Sequence, residues 1–141
     1  MGAASSSGPR SATALQRILR VLVVDDNVDA AQLLFEALGM LGYTACIAHD
    51  GPSGLQAAIE FKPDVAFLDI GLPVMDGYEL ARRLRDWSSA VHLIAITGYG
   101  QDSDRRRSRE AGFEQHLVKP LDLKRFRAIL DELEIQKRSA S

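Results

Sequence analysis

The sequence predicts an α/β fold in which a five-stranded parallel sheet, with strand order 2-1-3-4-5, lies between two helical layers as a (βα)5 three-layer sandwich. Five short apolar runs alternate with five segments whose apolar residues recur at helical spacing, and strict alternation of strand and helix is typical of a parallel sheet. The runs are continuously apolar, as expected of strands buried on both faces. Right-handed crossovers leave few other topologies open.

The predicted strands are bounded by polar or turn-forming residues. The first is a β-branched run that ends at Asp25, and the third runs into a loop that contains Gly71 and Pro73. The five predicted strands are 20–24, 43–48, 64–69, 91–96 and 115–118.

The predicted helices have recognisable starts and stops. Leucines recur at helical spacing from Leu33 to Leu41, and Gly42 then ends the first helix. Asp76 and Gly77 open the third helix. The other predicted helices are 51–61, 101–111 and 122–135.

Length and composition suit one folded domain. The chain has 141 residues, of which 46% are hydrophobic and 26% charged. We expect a flexible leader over 1–18, a single domain over 19–136 and a tail over 137–141, because both ends are rich in small and polar residues. No apolar run approaches the ~20 residues of a membrane span, and a net charge of −2 gives no indication of binding to nucleic acid or an anionic membrane. We therefore expect a cytoplasmic protein.

Polar side chains stand where the predicted strands end. Asp25 and Asp26 follow the first strand, Asp69 ends the third, Thr97 follows the fourth and Lys119 the fifth. In open α/β sheets the carboxyl ends of the strands form the edge at which ligands bind. Three carboxylates, a hydroxyl and an ammonium group are thus expected around one crevice, although they lie far apart in the sequence.

This combination suits a metal ion and a phosphoryl group. Clustered carboxylates raise one another's pKa unless a cation lies among them, and Mg²⁺ prefers oxygen ligands and is commonly shared with phosphate. Phosphoryl transfer depends on positioning and on cations that stabilise the equatorial oxygens. Lys119 offers a point charge and Thr97 a hydroxyl donor, while Gly98 leaves room beside them.

The motifs around these residues resemble the receiver domain of two-component response regulators. The stretch 68–77, Leu-Asp-Ile-Gly-Leu-Pro-Val-Met-Asp-Gly, is similar to the phosphoacceptor segment of that family. The stretches 96–99 and 116–120 resemble its fourth and fifth strand ends. The likeness extends over about 20–135, and it implies the flavodoxin-like fold.

The resemblance also implies a role for each site residue. Asp69 is the implied phosphoacceptor. The implied cofactor is Mg²⁺, or Mn²⁺ in its place, held by Asp69, directly by Asp26, largely through water by Asp25, and by the backbone carbonyl of Gly71.

A second group of residues is implied to bind the phosphoryl group and switch the domain. Thr97 turns towards the phosphoryl group, with Gly98 beside it, and Lys119 pairs with it. The bond between Lys119 and Pro120 is commonly cis in the family. Three residues before the lysine, the family usually carries Tyr or Phe, whereas this chain has His116, whose charge depends on pH near 6.5. We hypothesise that His116 changes rotamer on phosphorylation.

The implied partner is a histidine kinase or a histidine phosphotransfer domain, and the stretch from Gly112 most resembles receivers attached to hybrid histidine kinases. The output face is expected over 101–136, where it would meet a downstream protein or a second copy of the chain. The arginines at 105, 106, 107 and 109 are either a solvated face or part of that docking surface. No DNA-binding element fits in the remaining residues, so direct transcriptional output is not expected.

Two other functions remain open from the residues alone. The same side chains could serve a metal-dependent phosphohydrolase that acts on an external substrate, although the predicted loops are short and provide no lid. The chain could also be an interaction module that is never phosphorylated. The short loops argue against the phosphohydrolase, and the complete acidic set argues against the interaction module, which has no need of buried like charges. We therefore expect a signalling domain without turnover of an external substrate.

Overall fold

The computed structural model describes residues 17–98 and 105–140. Five βα units follow one another, with the strands β1 (Arg20–Val24), β2 (Thr44–Ala48), β3 (Val65–Asp69), β4 (His92–Thr97) and β5 (Phe113–Val118). The helices are α1 (Val28–Met40), α2 (Gly51–Phe61), α3 (Gly77–Trp87), α4 (Arg105–Ala111) and α5 (Leu123–Ala140).

The sheet order is β2-β1-β3-β4-β5 and all pairs are parallel, which confirms the predicted order 2-1-3-4-5. The central strand β3 is buried at all five positions, because helices cover both of its faces. Alternate residues of β1 and β3 belong to two separate clusters. One cluster packs against α2, α3 and α4, and the other packs against α1 and α5.

Three helices begin at the carboxyl edge of the sheet with the same local chemistry. The side chains of Asn27, Asp50 and Asp76 accept hydrogen bonds from the backbone N–H three residues further on, at 3.0, 2.7 and 2.9 Å. An Asx residue at this position satisfies one of the donors that a helix start leaves open. These caps fix where α1, α2 and α3 leave the sheet.

Among the described residues, two element boundaries differ from the prediction by more than one residue. β5 begins at Phe113 rather than at 115, because the register slips beside Leu93 and leaves Glu114 as an additional residue between the pairs Leu93–Phe113 and Ile94–Gln115. The bulge interrupts the alternation that marks a strand in the sequence. The second difference is that α5 continues to Ala140 instead of ending near 135.

Ion pairs hold the extension of α5 at the edge of the sheet formed by the amino ends of the strands. Lys137 Nζ lies 2.7 Å from Asp64 Oδ1, and Arg138 Nε lies 2.9 Å from Glu134 Oε2.

The predicted helix 101–111 begins at Arg105 within the described part of the chain, and its first four predicted residues lie outside the described residues. Most of the predicted leader also lies outside them. Within residues 17–98 and 105–140, no helix combines the length and apolarity needed to cross a membrane.

Candidate functional site

The three predicted acidic residues meet at the carboxyl edge of the sheet. Asp25 follows β1 directly, and Asp69 is the last residue of the adjacent β3. One carboxylate oxygen from each of Asp25, Asp26 and Asp69 lies within 4.8 Å of the others. The neighbouring order of β1 and β3 thus brings together side chains that are 44 residues apart in the sequence.

Asp25 is fully buried, and its position is fixed by its own backbone and side chain. Its N–H donates to the carbonyl of Ala48 at 3.1 Å, and its Oδ1 accepts from the N–H of Asn27 at 2.9 Å. Its carbonyl accepts a hydrogen bond from His49 Nδ1 at 3.0 Å. Because a carbonyl oxygen can only accept, the proton of this bond lies on Nδ1. His49, which sequence reasoning did not assign, therefore helps to hold the acidic residue in place.

Asp69 is nearly buried, and both of its carboxylate oxygens have contacts. Oδ1 accepts a hydrogen bond from the N–H of Gly71 at 2.8 Å, and Oδ2 lies 3.3 Å from Lys119 Nζ. Burial raises the pKa of Asp69, and the nearby Asp25 acts in the same direction, while the Gly71 N–H and the Lys119 charge oppose them. The net effect on the pKa of Asp69 is upward, so a cation beside this carboxylate would favour its charged form.

Lys119 is the cation shared by two of the three acids. Its Nζ lies 2.9 Å from Asp25 Oδ2 and 3.3 Å from Asp69 Oδ2. Burial acts to lower the pKa of Lys119, but the hydrogen bonds and charges of Asp25 and Asp69 outweigh it, so the pKa is raised. The backbone N–H of Lys119 donates to the carbonyl of Thr97 at 2.7 Å, and the following bond to Pro120 is cis. These contacts set where the lysine leaves β5.

Thr97, the last residue of β4, is buried, and Gly98 follows it. β4 lies between β3 and β5 in the sheet, so Thr97 stands at the edge between the strand of Asp69 and the strand that leads to Lys119. Tyr99 lies outside the described residues.

The loop after Asp69 is packed closely against the acceptor residue. A Cβ atom added to Gly77 would lie 2.5 Å from the carbonyl oxygen of Asp69 and 2.5 Å from the Cα of Ile70, so only glycine fits there. The N–H of Gly77 donates to the carbonyl of Ile70 at 3.2 Å. The start of α3 is therefore held against the end of β3, and it packs against the backbone of Asp69.

Val74 lies within this loop in a strained conformation. Its φ is 69°, a left-handed value that β-branched residues rarely adopt. The N–H of Met75 donates to the carbonyl of Pro73 at 2.7 Å across Val74, as in a tight γ-turn. Met75 packs against Gly51 at the start of α2, while the Val74 side chain is 99% exposed. The strain is thus localised in an exposed residue next to Met75, which is packed against α2.

His116 is turned towards α4 by its contacts there. Its Nε2 lies 2.8 Å from Ser108 Oγ, and its Nδ1 lies 3.4 Å from an Arg105 guanidinium nitrogen. Burial lowers the pKa of His116, and the charge of Arg105 lowers it further. Sequence reasoning missed Ser108, which is fully buried. The only signal for it was its position three residues before the buried Ala111, on the same side of α4.

Most of the basic run on α4 makes contacts within the chain. Arg106 pairs with Glu110 at 3.4 Å, and Arg107 lies 3.5 Å from Asp76 and 4.3 Å from the centre of the Tyr78 ring. Arg107 thereby ties α4 to the start of α3. Neither contact excludes a docking role, because the charged ends of these arginines remain exposed.

The donor atoms of the acidic cluster are all oxygens, which suits a hard divalent cation such as Mg²⁺ better than a transition metal that prefers sulfur or nitrogen. The cluster has three carboxylates, and Lys119 contacts two of them, Asp25 and Asp69, so the cluster retains an excess of negative charge. The site can therefore accept a dication and, with it, an anionic phosphoryl group.

Comparisons with known proteins agree with this geometry. The family model of the response regulator receiver domain matches residues 21–131. The response regulator MprA of Mycobacterium ulcerans is 33% identical over 122 residues, which are 84% of this chain and 53% of MprA. The transcriptional regulatory protein PrrA of Mycobacterium bovis is 38% identical over 104 residues, which are 74% of this chain and 45% of PrrA. The chain thus spans about half the length of these curated relatives.

Solved structures show the same relationship. The REC domain of AraT, a response regulator from Geobacillus stearothermophilus, superposes with a TM-score of 0.77 at 27% sequence identity, over 87% of this chain and 98% of that one. The family match covers all five strands except the first residue of β1, and it includes the whole acidic cluster. The chain therefore belongs to the response regulator receiver domain family, the signalling domains of two-component systems.

Proposed function

We propose that Asp69 accepts a phosphoryl group from a phosphohistidine of a histidine kinase or a phosphotransfer domain, and that the phosphorylated domain signals through the face 101–136. The observation that carries this proposal is the convergence of Asp25, Asp26 and Asp69 within 4.8 Å of one another, with the ammonium group of Lys119 beside Asp25 and Asp69. Such a cluster has no evident structural benefit, because buried like charges destabilise a fold.

The reaction forms one bond and breaks another. A carboxylate oxygen of Asp69 attacks phosphorus, the P–N bond to the donor imidazole breaks, and the leaving nitrogen takes a proton. Lys119 Nζ, already 3.3 Å from Asp69 Oδ2, offsets the charge of the transferred group. The Thr97 hydroxyl is the proposed donor to another phosphoryl oxygen. Because Gly77 has no side chain, the start of α3 can lie close to the Asp69 backbone.

A divalent cation completes the proposed site. Asp25, Asp26, Asp69 and the carbonyl of Gly71 are the residues that would hold Mg²⁺, or Mn²⁺ in its place. When bound, the ion supplies positive charge to the phosphoryl oxygens and relieves the repulsion among the carboxylates. Hydrolysis of the aspartyl phosphate by water then releases inorganic phosphate and restores the carboxylate, which resets the switch.

The proposal is tested by measuring intact mass after incubation with acetyl phosphate and Mg²⁺. We expect one phosphoryl adduct on the parent protein, none on Asp69→Asn, and none when the metal is removed with a chelator. Absence of an adduct under every condition would contradict phosphorylation and favour an interaction module. Release of many equivalents of phosphate from a phosphate ester would favour a phosphohydrolase instead.

A further inference from the structure

The contacts of His116 connect the edge strand β5 to α4. Ser108 lies in the middle of α4 and is fully buried, and its Oγ is 2.8 Å from Nε2 of the His116 ring. Arg105, which approaches Nδ1 to 3.4 Å, is the first described residue of that helix. A single imidazole thus contacts both the start and the middle of α4.

These partners determine which ring nitrogen carries the proton. A guanidinium group can only donate hydrogen bonds, so the Nδ1 that faces Arg105 must be an unprotonated acceptor. The proton of the neutral ring then lies on Nε2, from which it is donated to Ser108 Oγ. Protonation of Nδ1 would place two donors and two positive charges face to face, so the contact with Arg105 depends on a neutral imidazole.

The surroundings of His116 contain little else that could stabilise an imidazolium ion. Its partner across the sheet is Ala95 on β4, and the ring of Phe113 lies 6.4 Å away, centre to centre. On β5, Glu114 pairs with His92 at 2.9 Å rather than with His116. Among the described residues, the charge that acts on His116 is that of Arg105.

Lys119, three residues along the chain, is engaged with Asp25 and Asp69 at the other site. The Ser108 hydroxyl is uncharged and can accept from the ring in either state of protonation. The protonation equilibrium of His116 is therefore set by burial and by the charge of Arg105, and both favour the neutral imidazole.

We propose that His116, Ser108 and Arg105 form a proton-sensitive latch, which holds α4 against β5 while the imidazole is neutral and releases the first turn of α4 when the imidazole is protonated. In this arrangement His116 is a positioning residue that acts through Arg105 and Ser108. The consequence for signalling rests on the proposed function, because α4 belongs to the face 101–136 through which the phosphorylated domain is proposed to act. Acidification would then loosen this face without any change at Asp69.

The latch is tested by amide hydrogen exchange of α4, corrected for the pH dependence of chemical exchange, at about pH 7.5 and about pH 5.5, on either side of the usual histidine pKa. For the parent protein we expect protection of 105–111 to fall by about tenfold at the lower pH, which corresponds to about 1.4 kcal/mol. His116→Gln is the matched variant, because a carboxamide can donate to Ser108 and accept from Arg105 but does not titrate. Its protection should be high at both pH values.

Two further variants remove one or both of the polar contacts that form the latch. His116→Phe retains an aromatic ring but neither polar contact, and Ser108→Ala removes the partner of Nε2. His116→Phe should show low protection of α4 at both pH values, whereas Ser108→Ala, which keeps the contact between His116 and Arg105, should show reduced protection at the higher pH and a further fall at the lower pH. His92 and His49 are unchanged in all variants, so their titration cannot produce the difference. If His116→Phe does not fold, the comparison of the parent with His116→Gln and Ser108→Ala decides.

Three results would overturn the latch. These are equal protection of the parent at the two pH values, the same loss of protection in His116→Gln as in the parent, and a ring whose nitrogen NMR shifts show the proton on Nδ1 near neutral pH. The experiment does not depend on phosphorylation. Asp69→Asn should keep the pH-dependent protection, whereas failure of the acetyl phosphate test would contradict the proposed function alone.

Discussion

Lys119 is the residue on which the electrostatics of the acceptor site depend. It contacts Asp25, which is fully buried, and Asp69, which is nearly so. Removal of the ammonium group leaves both carboxylates with less compensation, and a partly buried ion pair that loses one partner is destabilising because a buried charge remains.

We therefore expect Lys119→Ala to lower the free energy of unfolding by about 1–3 kcal/mol in the absence of metal, a value reduced from that of a fully buried pair because the lysine is partly exposed. Mg²⁺ should restore much of this loss by compensating the same carboxylates. Urea unfolding with a chelator and with Mg²⁺ measures both effects. Lys137→Ala is the control, since Lys137 pairs with Asp64 away from the cluster, and Mg²⁺ should not restore its stability.

Val74 has a strained backbone conformation, and its exposed side chain makes no packing contribution that would offset the strain. Its φ of 69° is unfavourable for a β-branched residue, and its side chain is 99% exposed. Asparagine tolerates this conformation far better. We expect Val74→Asn to raise the free energy of unfolding by about 0.5–1 kcal/mol.

Val28→Asn is the matched control for Val74, because Val28 is also exposed but lies at the start of α1 and is not among the described residues with positive φ. It should show no gain. Thermal and urea unfolding give the comparison, and a Val74→Asn protein less stable than the parent would contradict the assignment of strain to this residue.

At the scale of single elements, the start of α2 is held by Asp50. The hydrogen bond from the backbone N–H of Ser53 to the Asp50 carboxylate, at 2.7 Å, lowers the pKa of Asp50. A carboxyl group whose pKa is lower in the folded state stabilises the fold above its unfolded pKa, and this stabilisation is lost as the pH falls through the folded value.

We expect Asp50→Ala to be less stable than the parent at neutral pH, with a difference that shrinks as the solution is acidified below the usual aspartate pKa of about 3.9. Asp50→Asn keeps an acceptor for Ser53 without titrating, so it should be closer to the parent at neutral pH, and its difference from Asp50→Ala should stay constant as the pH falls. Urea midpoints measured across the acidic range test the prediction. A difference between Asp50→Ala and the parent that is constant with pH would contradict it.

α5 is joined to the beginning of β1 by one buried carboxylate. Glu134 is 2% exposed, and its oxygens accept from the N–H groups of Ile18 at 2.9 Å and Leu19 at 3.1 Å. Arg138 lies 2.9 Å from the same carboxylate. Without the Glu134 carboxylate, the backbone N–H groups of Ile18 and Leu19 lose their hydrogen-bond acceptor in a largely buried setting.

We expect Glu134→Ala to lower the free energy of unfolding by about 2–4 kcal/mol, because leaving buried donors unsatisfied costs about 1–3 kcal/mol each and solvent can reach one of them. Glu134→Gln keeps an acceptor oxygen and should cost clearly less. Hydrogen exchange at Ile18 and Leu19 should increase in the alanine variant. Unchanged protection of these amides would show that the contact does not hold the chain.

At the scale of the whole molecule, the sheet and the acidic cluster were predictable because both follow from where apolar runs end. Asp25 and Asp69 come directly after continuous apolar segments, so the strand order alone brings them together. The same reasoning reached Thr97 and Lys119. These positions follow from the burial of the strands, which the apolar runs in the sequence indicate directly.

The features that were missed depend on exceptions to local preference. Valine normally avoids positive φ, so nothing in the sequence marks the turn at Val74. Ser108 follows three arginines, so the run looked solvated although its serine is buried. The last turn of α5 is polar, and it is helical because Lys137 and Arg138 find partners in the folded chain. Tertiary contacts decide each of these cases.

The tie between α5 and the segment before β1 has a topological consequence. Lys137 Nζ lies 3.4 Å from the carbonyl of Ile18, so the first and last parts of the described chain run side by side at the edge of the sheet away from Asp69. A short linker across this gap would turn the backbone into a closed ring, and cutting that ring in an exposed connection would yield a circular permutant with every strand pair intact. For this domain, the order in which the βα units are synthesised is therefore separable from the order in which they pack.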